Sequence, residues 1–428
     1  MLAGRRTFVG FGFGPIQTGL FLSEAFASGS FGRLVVVEVV PELVAAVADA
    51  GGQFSVNIAH PDRVEAVEIG PVEIVNPRAS ADRRMLVDAI AQANELATAL
   101  PSVDRYSSGE PGSVHRLLAA GLREKARRKG PPAVIYAAEN HNHAAEILEA
   151  VVFEEIPAGE RAAVAAQVRF LNTVIGKMSQ LVIDPEDVRD YALVPLTPRL
   201  PRAILVEAFN RILISRIRFE ADFVRGITAF EEKDDLLPFE EAKLYGHNAT
   251  HALAGYLGGL TGVSCMADLH TVSGLLPLIR AAFIDELGEA LIRRHRGVDS
   301  LFTHAGYTQY ADDLLERMMN PFLRDTIERV TRDTRRKLGW NDRLIGTMRL
   351  ALENGVDPRR YALGAAAALA TLDPLILTGD VEVESILRPL WNGAKQDDEA
   401  ILVSVGNARD ALKAWHRAGL SDLGRLID

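Results

Sequence analysis

The chain has 428 residues, enough for two or three domains at roughly 150 residues each. Hydrophobic residues make up 48% and charged residues 24%, which supplies a core and excludes a disordered chain, and no uninterrupted apolar stretch is long enough to span a bilayer. The net charge of −10 excludes an overall basic, nucleic-acid-binding footprint, and Cys265, the only cysteine, excludes a disulfide framework or CxxC motif, which points to a reducing cytoplasm.

Arg5-Arg6, an apolar run and Ala25-Phe26-Ala27 imitate a secretory signal. Gly10, Gly12, Gly14, Pro15, Gln17, Thr18 and Gly19 interrupt that run, so a strand, a tight turn and a helix are expected instead. Thr7–Gly10 reads as the first strand and Pro15–Ser28 as the helix. Leu34–Val39 is a nearly continuous apolar run, the kind buried on both faces of a parallel sheet. Helical patterns follow over Pro41–Ala50, Ser80–Ala99 and Ser113–Lys129, with strand-like runs at Val64–Ile69, Val72–Val75 and Val134–Tyr136. This alternation predicts a parallel sheet with crossover helices.

Pro185, Pro195, Pro198 and Pro201 suit a connection between domains, so a Rossmann-type domain over residues 1–200 and a mainly helical domain over 201–428 are expected. Helical spacing fills the second half: Ala203–Arg218, Glu240–Leu260, Leu275–Arg294, Tyr310–Lys337, Arg343–Asn354, Tyr361–Leu372, Glu384–Leu390 and Asp397–Arg417. The fold class is therefore α/β followed by mainly α. No internal repeat or low-complexity tract interrupts it.

Gly12-Phe-Gly14-Pro15-Ile16-Gln17-Thr-Gly19 lies where the first strand hands over to a helix. Gly12 permits the tight turn and Gly14 lets backbone approach a pyrophosphate at the helix N-terminus, with Pro15, Ile16 and Gln17 opening that helix. The third glycine of the usual pattern is replaced by Gln17. Glu38 ends the second strand, where an acid accepts hydrogen bonds from the adenosine ribose and repels a 2′-phosphate. NAD is the expected cofactor.

Lys243-Leu-Tyr-Gly-His247-Asn248-Ala-Thr-His251 opens a long helical pattern, with Asn248 and His251 about one turn apart and Lys243 a turn or more earlier. A lysine beside neutral hydrogen-bonding groups in apolar surroundings has its pKa lowered toward the range of a base. His247 and His251 have the spacing of a helical zinc site, but Asn248 stands where HExxH has its glutamate and no third ligand is at hand. No metal is expected there, and His141-Asn142-His143 reads as a solvated helix start.

Together these segments resemble the polyol-specific long-chain dehydrogenases. Lys243, Asn248 and His251 fit that family's Lys-x4-Asn-x2-His hallmark, and His251–Gly258 resembles its continuation. Ala137-Ala-Glu139-Asn140 is similar to the family's Cys-Asp/Glu-Asn segment, and Phe170–Met178 to its Phe-x-Asn/Asp-Ser-x-Val-Asp-Arg-Ile stretch. Asn320–Asp325, Arg335–Leu338 and Asp342–Ile345 look closest to the mannitol-1-phosphate branch.

The resemblance implies metal-independent oxidation of a secondary alcohol to a ketone by NAD. It makes Lys243 the general base, with Asn140 and Asn248 stabilising the developing alkoxide and His251 orienting a neighbouring hydroxyl. Arg329, Lys337 and Lys177 fall at substrate-binding positions by the same likeness. Gly176-Lys177 replaces the family's Asp-Arg pair, and Glu240 or Glu241 could serve as a relay carboxylate in place of that aspartate.

The basic run Arg324, Arg329, Arg332, Arg335, Arg336, Lys337 and Arg343 favours an anionic substrate, with mannitol 1-phosphate and fructose 6-phosphate as the leading pair. The alternatives are a mannitol 2-dehydrogenase, a hexuronate reductase, or a non-catalytic NAD-binding sensor. The expected partner is a small polyol or ketose, not nucleic acid or membrane, with the chain acting as a monomer or small homo-oligomer.

Overall fold

The structure, a computed structural model, describes residues 6–393, 395, 398–419 and 423–426. It divides into two compact units, Met1–Leu237 and Pro238–Asp428.

Among the described residues the first unit is built on twelve strands: β1 (Arg6–Phe11), β2 (Phe31–Val37), β3 (Phe54–Ala59), β4 (Val64–Ile69), β5 (Glu73–Val75), β6 (Glu95–Thr98), β7 (Ala133–Ala137), β8 (Val168–Val174), β9 (Ser179–Val182), β10 (Ala203–Glu207), β11 (Ile212–Ser215) and β12 (Phe230–Lys233). Eight of them form one sheet in the order β12-β11-β8-β7-β6-β1-β2-β5. Every neighbouring pair is parallel except β8 with β11. The chain leaves β1 toward β2 on one side and returns to β6 on the other, so the strand order reverses beside β1. In open α/β sheets ligands bind at the carboxyl ends of the strands at such a point.

A second sheet, β4-β3-β10-β9, packs with the segment Gln17–Ala27 and one face of the first sheet in a single apolar core that includes Phe8, Leu20, Phe21, Val36, Val56, Val134, Ile204 and Val206. The opposite face of the large sheet is covered by helices Ser80–Gln92 and Val114–Arg128, which bury Leu86, Ile90, Leu118 and Leu122 against Val9, Val35, Leu96 and Ile135.

The unit boundary falls later than residue 200. The prolines of residues 185–201 lie within the first unit, on the path from β9 to β10. The Asn57 side chain fastens that path to β3, donating to the Val194 carbonyl (2.9 Å) and accepting from its N–H (2.9 Å). Ala203–Arg218, read as a helix, is instead the pair β10 and β11, because its β-branched runs are short, buried and split at Asn210. The helix expected over 80–99 stops at Gln92 and gives way to β6, whose four residues are all buried.

The second unit is helical. Helix Arg359–Leu372 packs against helices Asn248–Leu260 and Asp398–Arg417. Asp397, expected to start that last helix, lies outside the described residues. Alanines and Gly364 permit close approach in the centre, where a Cβ on Gly364 would come within 2.7 Å of the Leu253 side chain. The continuous helix expected over 310–337 is broken: helix His304–Met318 ends before Asn320-Pro321, and Arg324 and Asp333 take positive φ (53° and 58°) between short helical turns. Among the described residues, no helix is long and apolar enough to cross a membrane.

Candidate active site

In the first unit a cavity of about 460 Å³ opens at the carboxyl ends of the strands, beside the point where the order reverses. Its lining includes Gly12, Gly14, Pro15, Ile16, Glu38, Leu100 and Ala138. Gly12 has φ +92°, and a Cβ there would stand 2.8 Å from the Ala99 carbonyl oxygen, so the turn requires glycine twice over. Gly14 has nothing within 4 Å of where its Cβ would lie, which leaves the approach to the helix N-terminus open. Pro15, lacking an N–H, suits the first helical turn. Such a glycine cradle before a helix N-terminus fits a pyrophosphate.

Glu38 stands at the edge of this cavity with one oxygen, Oε1, accepting from the N–H groups of Val39 (2.7 Å) and Val40 (2.9 Å). Those two bonds fix the carboxylate just beyond the carboxyl end of β2.

Gln17 does not line the cavity. It is 0% exposed, and its amide packs against β1 where a Cβ on Gly10 would collide with it. Its replacement of the third glycine is thus accommodated by Gly10, while Gly19 provides the close packing, 2.5 Å from a Cβ built there to Val206 Cγ1. Gln17 therefore acts through packing rather than as a cofactor ligand.

Asn140 is exposed just beyond Ala138 at the end of β7. The neighbouring Glu139, to which sequence reasoning gave no role, is buried and staples this turn to the end of β6. It accepts from Thr98 Oγ1 (2.9 Å), the Leu100 N–H (2.8 Å) and the Tyr106 hydroxyl. Burial pushes its carboxyl above the usual range against the pull of those three donors.

Lys177, expected to bind substrate, points its ammonium at three acceptors of its own unit: the carbonyls of Glu207 and Phe209 (3.0 Å) and Asn210 Oδ1 (2.6 Å). A lysine has three hydrogens to donate, so this geometry gives Lys177 the work of holding the β10–β11 turn.

The second unit carries the Lys–Asn–His motif on a helix with an irregular start. Ala242–His247 is a wide, i→i+5 turn that runs directly into helix Asn248–Leu260. An α-helix advances about 100° per residue, so Lys243 and Asn248 would stand roughly 140° apart on its surface. A turn with one more residue advances about 80° per residue, which brings the same pair to roughly 40° apart. The widened turn thus rotates Lys243 toward the face that carries Asn248 and His251.

That face borders a polar cavity of about 220 Å³ lined by Asn248, His251, Arg329, Arg332, Asp333, Arg336, Lys337 and Arg343, with the aliphatic Ala252 and Val330. Five of these side chains are cationic and one is a carboxylate. Arg329 Nε reaches Asp325 at 2.7 Å, and Arg343 Nε reaches Asp342 at 3.0 Å. Lys337 is only 4% exposed, and burial together with Arg343 and Arg336 brings it down to about 8. Lys243 is likewise brought down to about 8, by burial and then by Arg343, with Glu240 pulling the other way. His247 is buried and neutral in tendency: burial, then His251 and nearby cations, holds it well below the ordinary histidine value.

Of the two candidate relay carboxylates, Glu241 is committed to Arg294 (3.1 Å) and His295 (2.6 Å). Glu240 is the one that acts on Lys243.

A doubly wound sheet with a glycine cradle at its switch point, joined in one chain to a helical unit bearing a lysine lowered into the base range, defines a nucleotide-dependent dehydrogenase. Residues 235–375 match the mannitol dehydrogenase C-terminal domain. The chain is 29% identical over 322 residues to mannitol-1-phosphate 5-dehydrogenase of Bacillus licheniformis, covering 74% of this chain and 76% of that one. Its fold is similar to that of a D-sorbitol dehydrogenase in substrate-free form (TM-score 0.76, 15% identity, 97% of this chain and 94% of that one). It is also similar to Pseudomonas fluorescens mannitol 2-dehydrogenase in ternary complex with NAD and D-mannitol (TM-score 0.69, 17% identity, 96% and 92%). Residues 235–375 thus carry the mannitol dehydrogenase C-terminal domain, and the chain shares the fold of the sorbitol and mannitol dehydrogenases.

Proposed function

We propose that this NAD-dependent oxidoreductase oxidises a secondary alcohol of a polyol phosphate to the ketose phosphate, mannitol 1-phosphate to fructose 6-phosphate being the leading pair. The observation that carries the phosphate is the 220 Å³ cavity, where Arg329, Arg332, Arg336, Lys337 and Arg343 gather beside Asn248 and His251. Arginine and lysine in a small polar cavity suit a phosphate or a row of hydroxyls, and Asp325 and Asp342 offset only part of their charge. The name of the 29% identical relative supports the same substrate.

In this reading Gly12, Gly14, Pro15 and Ile16 hold the pyrophosphate, and Glu38 the adenosine ribose, of NAD. NAD, when bound, supplies the hydride acceptor. Lys243 in its neutral form takes the hydroxyl proton, which its lowered pKa allows near neutral pH. Asn140 and Asn248 donate hydrogen bonds to the oxygen as charge builds on it, and His251 orients a neighbouring hydroxyl. Arg329 and Lys337 bind the phosphate end, and Glu240 returns the proton from Lys243 toward solvent.

The test is NADH oxidation with fructose 6-phosphate, fructose and a keto-hexuronate. Turnover of fructose 6-phosphate with loss of that preference in Arg329→Gln supports the reading. Activity with fructose or the keto-hexuronate alone removes the phosphate. Binding of NADH without turnover of any ketose would make the protein a sensor.

A further inference from the structure

We infer that Asp325 is a positioning residue for His251, acting on the reaction through the imidazole rather than by touching substrate. The inference deepens the reading above and rests on its assignment of His251.

Asp325 is 2% exposed, far from His251 in sequence but next to it in space. Its Oδ2 lies 3.1 Å from His251 Nε2, and its Oδ1 takes the Arg329 Nε–H at 2.7 Å. One buried carboxylate therefore joins two residues that both line the polar cavity, without lining it itself. Its backbone is also fixed. The Asp325 carbonyl accepts from the Met266 N–H (2.8 Å) and from Cys265 Sγ (3.3 Å), and two residues further on the Ile327 N–H donates to the Ser264 carbonyl (2.9 Å). The carboxylate is thus held from both ends of its residue, the arrangement by which a supporting shell sets a working side chain.

The consequence is chemical. Burial alone would raise the Asp325 carboxyl, but His251 and Arg329 outweigh it and hold the group at about 2, so it is ionised and can only accept hydrogen bonds. Among the described residues His251 Nε2 and Asp325 Oδ2 are both buried with no other hydrogen-bond partner, and the N–H direction is not yet aligned at 3.1 Å. A small rotation of the ring closes the bond with Nε2 as donor. That places a ring proton on Nε2 and leaves Nδ1 as the nitrogen available to a substrate hydroxyl. In this geometry the carboxylate is the group that selects between the two tautomers.

Two readouts test this on the full-length protein. In the first, ¹⁵N spectra of histidine-labelled protein locate the His251 proton, assigned by its loss in His251→Gln. The wild type should carry it on Nε2, and Asp325→Asn should move it to Nδ1 or to a mixture. The second is a double-mutant cycle on kcat/KM with fructose 6-phosphate, with NADH affinity checked in each variant as a control for folding. His251→Gln and Asp325→Asn should each cost 10-fold or more, and the double variant should be no worse than His251→Gln alone. Losses that multiply, or a tautomer unchanged in Asp325→Asn, would overturn the inference. If His251→Gln costs nothing while the tautomer shifts as expected, the pair exists but the assignment of His251 to the substrate fails, and the inference falls with it.

Discussion

Two lysines of the helical unit, Lys243 and Lys337, are both lowered to about 8, and only one of them is assigned as the base. At pH 8 about half of a lysine with that value is neutral, whereas at the ordinary 10.5 about one in 300 would be, so burial and Arg343 raise the population of active base roughly 150-fold. The base must be neutral to accept a proton, so polyol oxidation should rise as pH increases and level off above about 8. Initial rates of NADH formation from pH 6 to 10.5 measure the limb. Lys243→Met should abolish it, leaving a low and pH-independent rate. Lys337→Met should raise the substrate KM and keep the limb. Arg343→Gln, by removing a positive neighbour, should move the limb upward. A limb that survives Lys243→Met and vanishes in Lys337→Met would refute the assignment of the base.

Other expectations follow from the same geometry. Gly12→Ala forces an alanine to φ +92° and its Cβ to 2.8 Å from the Ala99 carbonyl, so NADH affinity by fluorescence titration should fall by 10-fold or more. Glu38→Ala removes the carboxylate held by Val39 and Val40, and the ratio of NADH to NADPH affinity should drop, with no change contradicting the ribose assignment. Lys125→Met strips the buried donor from the carbonyls of Ala91 (3.2 Å), Ala93 (2.6 Å) and Pro131 (3.0 Å), and urea unfolding should show a loss of about 2–4 kcal/mol.

The parts of the fold that sequence reveals are those with local signatures. β1 and the glycine turn, Leu34–Val37 within β2, and the helices beginning near Pro41, Ser113 and Arg359 all declare themselves through periodicity or turn residues. β6 is hidden because four buried residues directly after a helix have no period of their own, and Glu95 among them looks polar. That glutamate is buried to accept the Tyr136 hydroxyl (2.8 Å) and the Gly226 N–H. β10 and β11 imitate a helix because their combined apolar spacing happens to fit one.

Gly12, Gly14 and Glu38, singled out by spacing and motif, line the cavity of the first unit, and Asn248 and His251 line that of the second. Three features were beyond reach. The widened turn at Ala242–His247 leaves no mark in the helical spacing of the sequence. Lys177 is drawn inward by acceptors some thirty residues later in the chain. Asp325 meets His251 only through the tertiary fold.

The central claim is that Lys243 accepts the proton of the alcohol that is oxidised. Chemical rescue tests it most directly, with kcat/KM for polyol phosphate oxidation measured in Lys243→Ala with and without added primary amines. The variant should fall by about 10²–10⁴-fold, and amines should restore part of the rate in their neutral form, increasing with their basicity. A Lys243→Ala enzyme that oxidises the polyol phosphate at the wild-type rate would contradict the account.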